Sequence, residues 1–172
     1  MLRSTERKPV VRSRPNRKVA FRLGLSLVLF AASLATPAFH YDDGPLRQSQ
    51  SGLHVIGLGW FAALFALLGL FRGWFELVGT LTWFVNPLLL AAWIQAWRGR
   101  GDSAVICAVA GFLLSLGFLA VHRIPVPDNG TMDHIVPGVG YALWVLSTLA
   151  AIAAAHQVGR IEAAPLRTFN AE

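Results

Sequence analysis

Apolar residues dominate the chain from Leu23 to His156, where they form five long stretches separated by short polar or Gly/Pro-rich joints. Each stretch reaches the roughly 17 to 20 residues that a helix needs to cross about 30 Å of hydrocarbon. None shows the strict alternation typical of a barrel strand. Because unpaired backbone amides cannot face lipid, the pattern predicts an all-α membrane protein, a bundle of four to five transmembrane helices. The stretches are Leu23–Phe39, Leu53–Phe71, Leu77–Trp97, Ala104–Val121 and Val139–His156.

Positive charge is concentrated at the start of the chain. Eight of the 15 Lys and Arg residues lie within residues 1–22, although charged residues make up only 14% of the whole chain. This segment is poor in apolar residues, which predicts a disordered basic N-terminal tail. Beside a hydrophobic helix, such a tail acts as a topology signal and contacts anionic lipid; nucleic-acid binding is the less favoured alternative. The sequence thus predicts a basic cytoplasmic tail (1–22), a helical membrane domain (23–156) and a short polar C-terminal tail (157–172).

The first apolar stretch has two interpretations. A basic start, an apolar core at Leu23–Leu34 and small residues at Ala35 and Ala38 are features of a cleaved signal peptide. The basic region is unusually long for a signal peptide, however, and the cleavage pattern is weak. We therefore expect an uncleaved membrane anchor, with cleavage as the alternative.

The distribution of Lys and Arg distinguishes two topologies. With the basic tail in the cytoplasm, five crossings put ten Lys and Arg inside and five outside. If one middle stretch does not fully cross, twelve lie inside and three outside, which the positive-inside rule prefers. Leu53–Phe71 is the candidate for incomplete crossing because it contains His54 and several glycines. We expect four crossings plus this fifth segment, and five full crossings stay open on hydrophobicity alone.

The dipeptide Asn86-Pro87 interrupts the third apolar stretch. Proline lacks a backbone donor and collides with the preceding turn, so it must either start a helix or kink one. A helix that starts at Asn86 has only about a dozen residues before Trp97, too few to span. We therefore expect a kinked helix through Leu77–Trp97, in which Asn86 bonds to a neighbouring helix for about 1 kcal/mol. The functional alternative is a broken helix that lines a transport site.

Small residues recur at four-residue spacing in the last two stretches. This spacing puts them on one narrow face of each helix and permits close approach of the backbones. We expect these faces to pack against each other or against a partner chain. The residues are Cys107, Gly111, Ser115, Ser147, Ala151 and Ala155.

The tryptophans fit a membrane protein without a ligand. Trp74, Trp83 and Trp97 stand near the ends of apolar stretches, where interfacial belts of aromatic residues are expected. Trp60 and Trp144 lie further inside and are interpreted as core residues. A haem or quinone pocket is compatible with these positions, but no spacing requires one.

Histidine and aspartate cluster in the two segments expected as loops, after the first helix and before the last. In the four-crossing topology both loops face outside, and imidazole and carboxylate are ligands of zinc and copper. No HxxxH or HExxH spacing is present, and no nucleophile or oxyanion donor accompanies these residues. Metal binding is therefore kept as a weak alternative. The candidate ligands are His40, Asp42, Asp43, Asp133 and His134.

Two segments carry a resemblance to known proteins: residues 83–90 (Trp-Phe-Val-Asn-Pro-Leu-Leu-Leu) and 140–147 (Gly-Tyr-Ala-Leu-Trp-Val-Leu-Ser). They resemble small uncharacterised bacterial polytopic inner-membrane proteins with Trp-x-x-Asn-Pro-Leu-Leu and Gly-Tyr-x-Leu-Trp-x-x-Ser segments. The resemblance covers about residues 52–155, whereas the Arg-rich start and the Pro-rich loop depart from it. It implies a bacterial cytoplasmic membrane and no catalytic activity.

These observations predict a non-enzymatic accessory or scaffold protein, without a cofactor, that binds other membrane proteins or lipid or forms a homo-oligomer. Anionic lipid is the expected partner of the basic tail. The first alternative is a small transporter or channel with a broken helix at Asn86-Pro87 and with Gln95 and Ser115 lining its cavity. The second is a membrane metal protein or enzyme that uses the external His/Asp loops.

Overall fold

The computed structural model describes residues 16–43, 46–67, 81–120, 123–125 and 132–168, which form helices and one small sheet. Three helical segments are long and apolar enough to cross a membrane: Arg17–Ala35, Gly101–Ala120 and Val139–Ile161. The described part of the chain therefore has the helices of a membrane protein. The five α-helices are α1 (Arg17–Ala35), α2 (Gly52–Leu67), α3 (Val85–Trp97), α4 (Gly101–Gly117) and α5 (Val139–Thr168), and a 3-10 turn at Phe118–Ala120 follows α4.

A four-stranded antiparallel sheet corrects the all-α prediction. Its strands are β1 (Pro37–Asp43), β2 (Leu46–Ser51), β3 (Arg123–Pro125) and β4 (Met132–Pro137), and their order is β2-β1-β4-β3. The two segments expected as loops thus pair with each other, with His40 opposite Val136 and Tyr41 opposite Ile135. Each strand is too short to show a clear alternation of apolar and polar residues. The pairing of β1 with β4 joins segments that are distant in the sequence, so no local pattern indicates it.

The first helix begins earlier than its apolar stretch. Residues 17–22, predicted as part of a disordered tail, form the first turns of α1, and Asn16 Oδ1 caps the helix by accepting a 3.1 Å hydrogen bond from Lys18 N. The helix ends at Ala35 rather than Phe39, because Thr36 is extended and Pro37 starts β1. At the other terminus, α5 continues through the predicted polar tail as far as Thr168. Residues 1–15 and 169–172 lie outside the described residues.

The Asn86-Pro87 segment lies beside a one-residue interruption between two helical stretches, and the predicted kink within Leu77–Trp97 stays a prediction. Residues 81–83 are helical, Phe84 is a turn, and α3 begins at Val85. Pro87 therefore lies in the first turn of α3, where its missing N–H would have no helical partner in any case. Residues 68–80 lie outside the described residues.

Helix packing depends on small and hydroxyl-bearing residues. Helix α1 lies along α5, and α4 contacts both α3 and α5. Ser26 is fully buried, and its Oγ donates to the carbonyl oxygen of Ser147 (2.7 Å) and accepts from Trp93 Nε1 (2.9 Å). One serine hydroxyl thus joins α1, α3 and α5. Alanines fill much of the remaining interior: Ala92, Ala96, Ala104, Ala108, Ala151, Ala154 and Ala155.

Large apolar side chains lie on the outer surface of the same helices. Phe21 is 71% exposed, Ile106 is 69% exposed and Leu113 is 61% exposed. Small residues inside and large apolar residues outside are the arrangement of membrane helices, because lipid tails are as apolar as leucine and close packing drives helix association.

The two ends of the helix assembly differ in charge. We call one the basic end: it contains the start of α1, the end of α3, the start of α4 and the α5 turn around Gly159, where Gly101 lies against the Gly159 backbone. Its exposed cations come from α1, from the joint between α3 and α4, and from α5. We call the other the sheet end: there Gly138 N donates to the carbonyl oxygen of Ala38 at 2.8 Å, and Gly52 N donates to that of Thr36 at 3.1 Å. The exposed cations of the basic end are Arg17, Lys18, Arg98, Arg100 and Arg160.

The residues just before α3 lie beside the first turns of α2. Helix α2 begins at the sheet end with Gly52, and Trp83 Nε1 donates a 3.3 Å hydrogen bond to the carbonyl oxygen of Ile56 in the second turn of α2. From there α3 leads to the basic end at Trp97. The chain between Gly52 and Trp97 therefore makes one net passage from the sheet end to the basic end.

Candidate functional site

A cleft of about 130 Å³ lies at the sheet end between α1, β1, α2, the start of α3 and α5. Apolar side chains make up most of its wall, with small contributions from Ser33, Thr82 and Asn86. We call it the aromatic cleft because five aromatic side chains line it: Phe39, Trp83, Phe118, Tyr141 and Trp144.

Two glycines bring the walls of the aromatic cleft close together. A Cβ at Gly59 of α2 would collide with the indole ring of Trp83, so glycine lets this ring approach the helix closely. A Cβ at Gly140 would lie 2.8 Å from the carbonyl oxygens of both Thr36 and Pro37. The Gly59 contact brings α2 close to Trp83, just before α3. The Gly140 contact brings α5 close to Thr36 and Pro37, at the start of β1.

A chain of hydrogen bonds crosses the wall from α5 to α2. Trp144 Nε1 donates to Asn86 Oδ1 (3.1 Å), Asn86 Nδ2 donates to the carbonyl oxygen of Trp83 (3.2 Å), and Trp83 Nε1 donates to that of Ile56 (3.3 Å). The prediction that Asn86 bonds to a neighbouring helix is confirmed by the first of these bonds. Its carboxamide also satisfies a carbonyl group released by the break at Phe84, which explains why asparagine suits this position.

Tyr141 joins the cleft to α4. Its hydroxyl donates a 2.9 Å hydrogen bond to the carbonyl oxygen of Ser115, and its ring lies 5.3 Å from that of Phe118 and 6.1 Å from that of Trp144, measured between centroids. These separations fall within the range of favourable aromatic pairs. The rings thus form one continuous side of the cleft, with their polar groups already bonded.

Thr82 differs from the other polar side chains of the wall. It is only 7% exposed, and its Oγ1 is buried without a hydrogen-bond partner in the described structure. A buried hydroxyl group with no partner costs about 1–3 kcal/mol relative to a satisfied one. Threonine hydroxyls in helices normally bond to a carbonyl of the preceding turn, so an unpaired one beside a cavity needs another partner, such as a water molecule or a ligand.

The residues proposed for transport do not all meet at the cleft. Asn86 lines it, whereas Gln95 and Ser115 are not among its lining residues. Ser115 Oγ donates to the carbonyl oxygen of Phe112 within its own helix at 2.6 Å. Gln95 Oε1 is buried elsewhere without a partner among the described residues. The structure therefore does not bring these three side chains into one cavity.

The predicted small-residue faces are used in different contacts. A Cβ at Gly111 of α4 would lie 3.7 Å from Leu88 and 3.8 Å from Val85, so this glycine faces α3 rather than α5. The Ser147 carbonyl faces α1. Ala151 and the partly buried Cys107 belong to a cluster shared by α3, α4 and α5, whereas Ala155 packs in a second cluster with residues of α1.

The metal candidates lie on two neighbouring strands at the same end of the molecule. His40 is opposite Val136 in the β1–β4 pair, and Asp42 and Asp43 continue β1 while Asp133 and His134 precede Val136 in β4. Within the part of the chain that the structure describes, no group of three or more His, Cys, Asp or Glu is arranged to hold a metal. The side chains of residues 41–48, 132 and 133 lie outside that part, so the metal hypothesis stays a prediction.

Sequence reasoning missed Thr82, Tyr141 and Phe118 as cleft residues, and it interpreted Trp144 as core. The Gly-Tyr-x-x-Trp pattern of residues 140–144 was visible, but the residues that complete the cleft come from other elements. Comparison of the chain with protein-family models, with curated proteins and with solved structures found no match in any of the three. The functional argument therefore depends on the geometry of the cleft.

Proposed function

We propose that this protein is a multi-pass protein of a bacterial cytoplasmic membrane with a non-enzymatic accessory role: it binds a membrane lipid in the aromatic cleft. The single observation that carries this proposal is the cleft itself, an open cavity of about 130 Å³ walled mostly by apolar and aromatic side chains. Ligand sites are typically concave and apolar with a few polar groups that orient the ligand. In a helix assembly whose outer surface is rich in exposed Phe, Ile and Leu, lipids are the most abundant molecules that fit this description.

The topology we propose has four crossings, with the N-terminus in the cytoplasm. The chain passes from the basic end to the sheet end along α1, back between Gly52 and Trp97, out along α4 and back along α5. This order supports four passages, with the segment that begins at α2 as an additional excursion from the sheet end. Cations from α1, α5 and the joint between α3 and α4 lie at the basic end, and the positive-inside rule favours the cytoplasm for that end. The cleft then opens near the outer surface of the membrane.

An uncleaved first helix belongs to the same proposal. Ser26 and Leu23 of α1 are buried, and Arg22 donates a 2.9 Å hydrogen bond to the carbonyl oxygen of Ala153 in α5. Removal of α1 would expose these interior contacts along the length of α5. The intact mass of protein purified from membranes tests this point: a mass that lacks the first helix would contradict it.

Native mass spectrometry of the full chain in a mild detergent tests lipid binding. We expect a bound lipid on the wild-type protein. Val55→Trp should lose it, because Val55 lines the cleft and the larger side chain fills the cavity. Ile106→Trp is the matched control, since Ile106 is 69% exposed on α4 and lies away from the cleft. A wild-type protein without bound lipid, or equal loss in both variants, would contradict the proposal.

A further inference from the structure

We infer that the aromatic cleft is built for a lipid-soluble ligand whose head is a single neutral ring bearing a carbonyl oxygen, such as a benzoquinone, and that Thr82 is the residue that recognises the carbonyl. This inference rests on the proposed lipid-binding function and names the class of lipid. Its support comes from the size of the cleft, the aromatic side chains around it and the unpaired hydroxyl of Thr82.

The volume of the cleft matches one ring. An apolar cavity of about 150 Å³ in a protein interior holds a benzene molecule, and the aromatic cleft has about 130 Å³. The cleft is not fully enclosed, so a substituent attached to the ring can extend out of it. A complete phospholipid head group is too large and too polar for a cavity of this size and lining.

The chemistry of the wall favours a flat, neutral ring over an acyl chain. The Phe118, Tyr141 and Trp144 rings follow one another at centroid separations of 5.3 and 6.1 Å and offer surfaces for stacking. Among the described residues that line the cleft there is no cation or carboxylate, so none of them would neutralise a charged head group. The contact free energy of an aromatic pair is more favourable than its buried area alone predicts. An acyl chain has no aromatic ring and does not gain this extra free energy.

The hydrogen-bond inventory of the wall leaves one hydroxyl for the ligand. Trp144 Nε1, Tyr141 OH and Ser33 Oγ donate to protein acceptors, and Asn86 uses its Oδ1 and Nδ2. Thr82 Oγ1 is buried and has no partner among the described residues. Oγ1 lies near Gly117 of α4, where an added Cβ would be 3.8 Å from it. Because Thr82 lines the cleft, rotation about its Cα–Cβ bond allows the hydroxyl group to turn toward a carbonyl oxygen there and donate to it.

Binding of a decyl-substituted benzoquinone to the full chain in lipid nanodiscs tests the inference, with decylbenzene as the probe that lacks carbonyl groups. Calorimetric titration measures both. We expect Thr82→Val to weaken quinone binding about fivefold to tenfold, the range of one neutral hydrogen bond. The same substitution should leave decylbenzene binding within about twofold. Thr82→Ser keeps the hydroxyl and should keep quinone affinity within about twofold.

Thr82→Val also controls for folding. Because valine has nearly the shape of threonine and no bonded hydroxyl is lost, its melting temperature should not fall below that of the wild type. Equal affinity of the wild type for the two probes, an unchanged quinone affinity in Thr82→Val, or no quinone binding at all would overturn the inference. Those results would not change the native mass spectrometry comparison of bound lipid on Val55→Trp and Ile106→Trp. Failure of the quinone inference is therefore distinguishable from failure of the proposed lipid binding.

Discussion

Trp144 Nε1 donates a 3.1 Å hydrogen bond to Asn86 Oδ1 and thereby ties the second turn of α5 to the first turn of α3. The same carboxamide donates to the carbonyl oxygen of Trp83, on the other side of the break at Phe84. Asparagine thus fixes the angle between the two parts of the interrupted segment while forming a wall of the aromatic cleft. Its role in the described structure is positional, because both of its polar atoms are already bonded to protein.

Asn86→Leu should destabilise the folded protein by about 1–2 kcal/mol. Leucine leaves the Trp144 indole and the Trp83 carbonyl without their partners, and hydrogen bonds between membrane helices contribute about 0.6 to 2 kcal/mol. Equilibrium unfolding in mixed detergent–SDS micelles, followed by circular dichroism, measures the change in free energy.

Gln95→Leu is the matched control for that substitution. It removes a carboxamide from the same helix, but Gln95 Oε1 has no partner among the described residues. Loss of a buried, unpaired carbonyl oxygen should be neutral or stabilising. Equal destabilisation by the two substitutions would show that the Asn86 hydrogen bonds do not hold α3 in place.

Ser26→Ala should destabilise the protein more than Ser33→Ala. Both serines are buried in α1 and lose the same atom. Ser26 Oγ joins Ser147 and Trp93 on two other helices, whereas Ser33 Oγ donates only to Phe30 in its own helix. We expect a difference of about 1 kcal/mol in the free energy of unfolding. The same micelle titration measures it, and equal values for the two variants would contradict the assigned role of Ser26.

Most of the helical framework was predictable from the sequence because each apolar stretch carries its own signal. Long runs such as Ala104–Val121 and Val139–His156 coincide with the candidate spans Gly101–Ala120 and Val139–Ile161. The ends were less predictable. Arg17–Arg22 joins α1 although half of these residues are basic, because Asn16 caps the helix and Val19 and Leu23 pack into the interior.

The sheet and the cleft were not predictable, and for a common reason. His40 pairs with Val136 across most of the chain, and Thr82, Phe118 and Tyr141 meet only after four elements have packed. Local periodicity reports on the neighbours of a residue along the chain, whereas these features depend on contacts between distant segments. Asn86 is the exception: the sequence predicted its bond to another helix because a proline next to it already required an irregular backbone.

Gly101→Ala should lower the thermal stability of the purified protein, and Gly24→Ala should not. A Cβ at Gly101 would collide with the backbone of Gly159, so α4 and α5 would have to separate at the basic end. Overpacking of this kind costs about 1–3 kcal/mol. A Cβ at Gly24 meets nothing within 4 Å, and alanine is the better helix former. Size-exclusion chromatography after heating compares the two variants, and equal melting temperatures would contradict the close contact of α4 with α5.

Cysteine labelling of two exposed serines should establish which end of the molecule faces the cytoplasm. Ser49 lies in β2 at the sheet end and Ser103 lies in the first turn of α4 at the basic end. In a Cys107→Ala background, a membrane-impermeant maleimide added to spheroplasts should label Ser49→Cys directly and Ser103→Cys only after permeabilisation. The reason is that the cations gathered at the basic end favour the cytoplasm. The reverse pattern, or labelling of both sites in intact spheroplasts, would contradict the proposed topology and the outward position of the aromatic cleft.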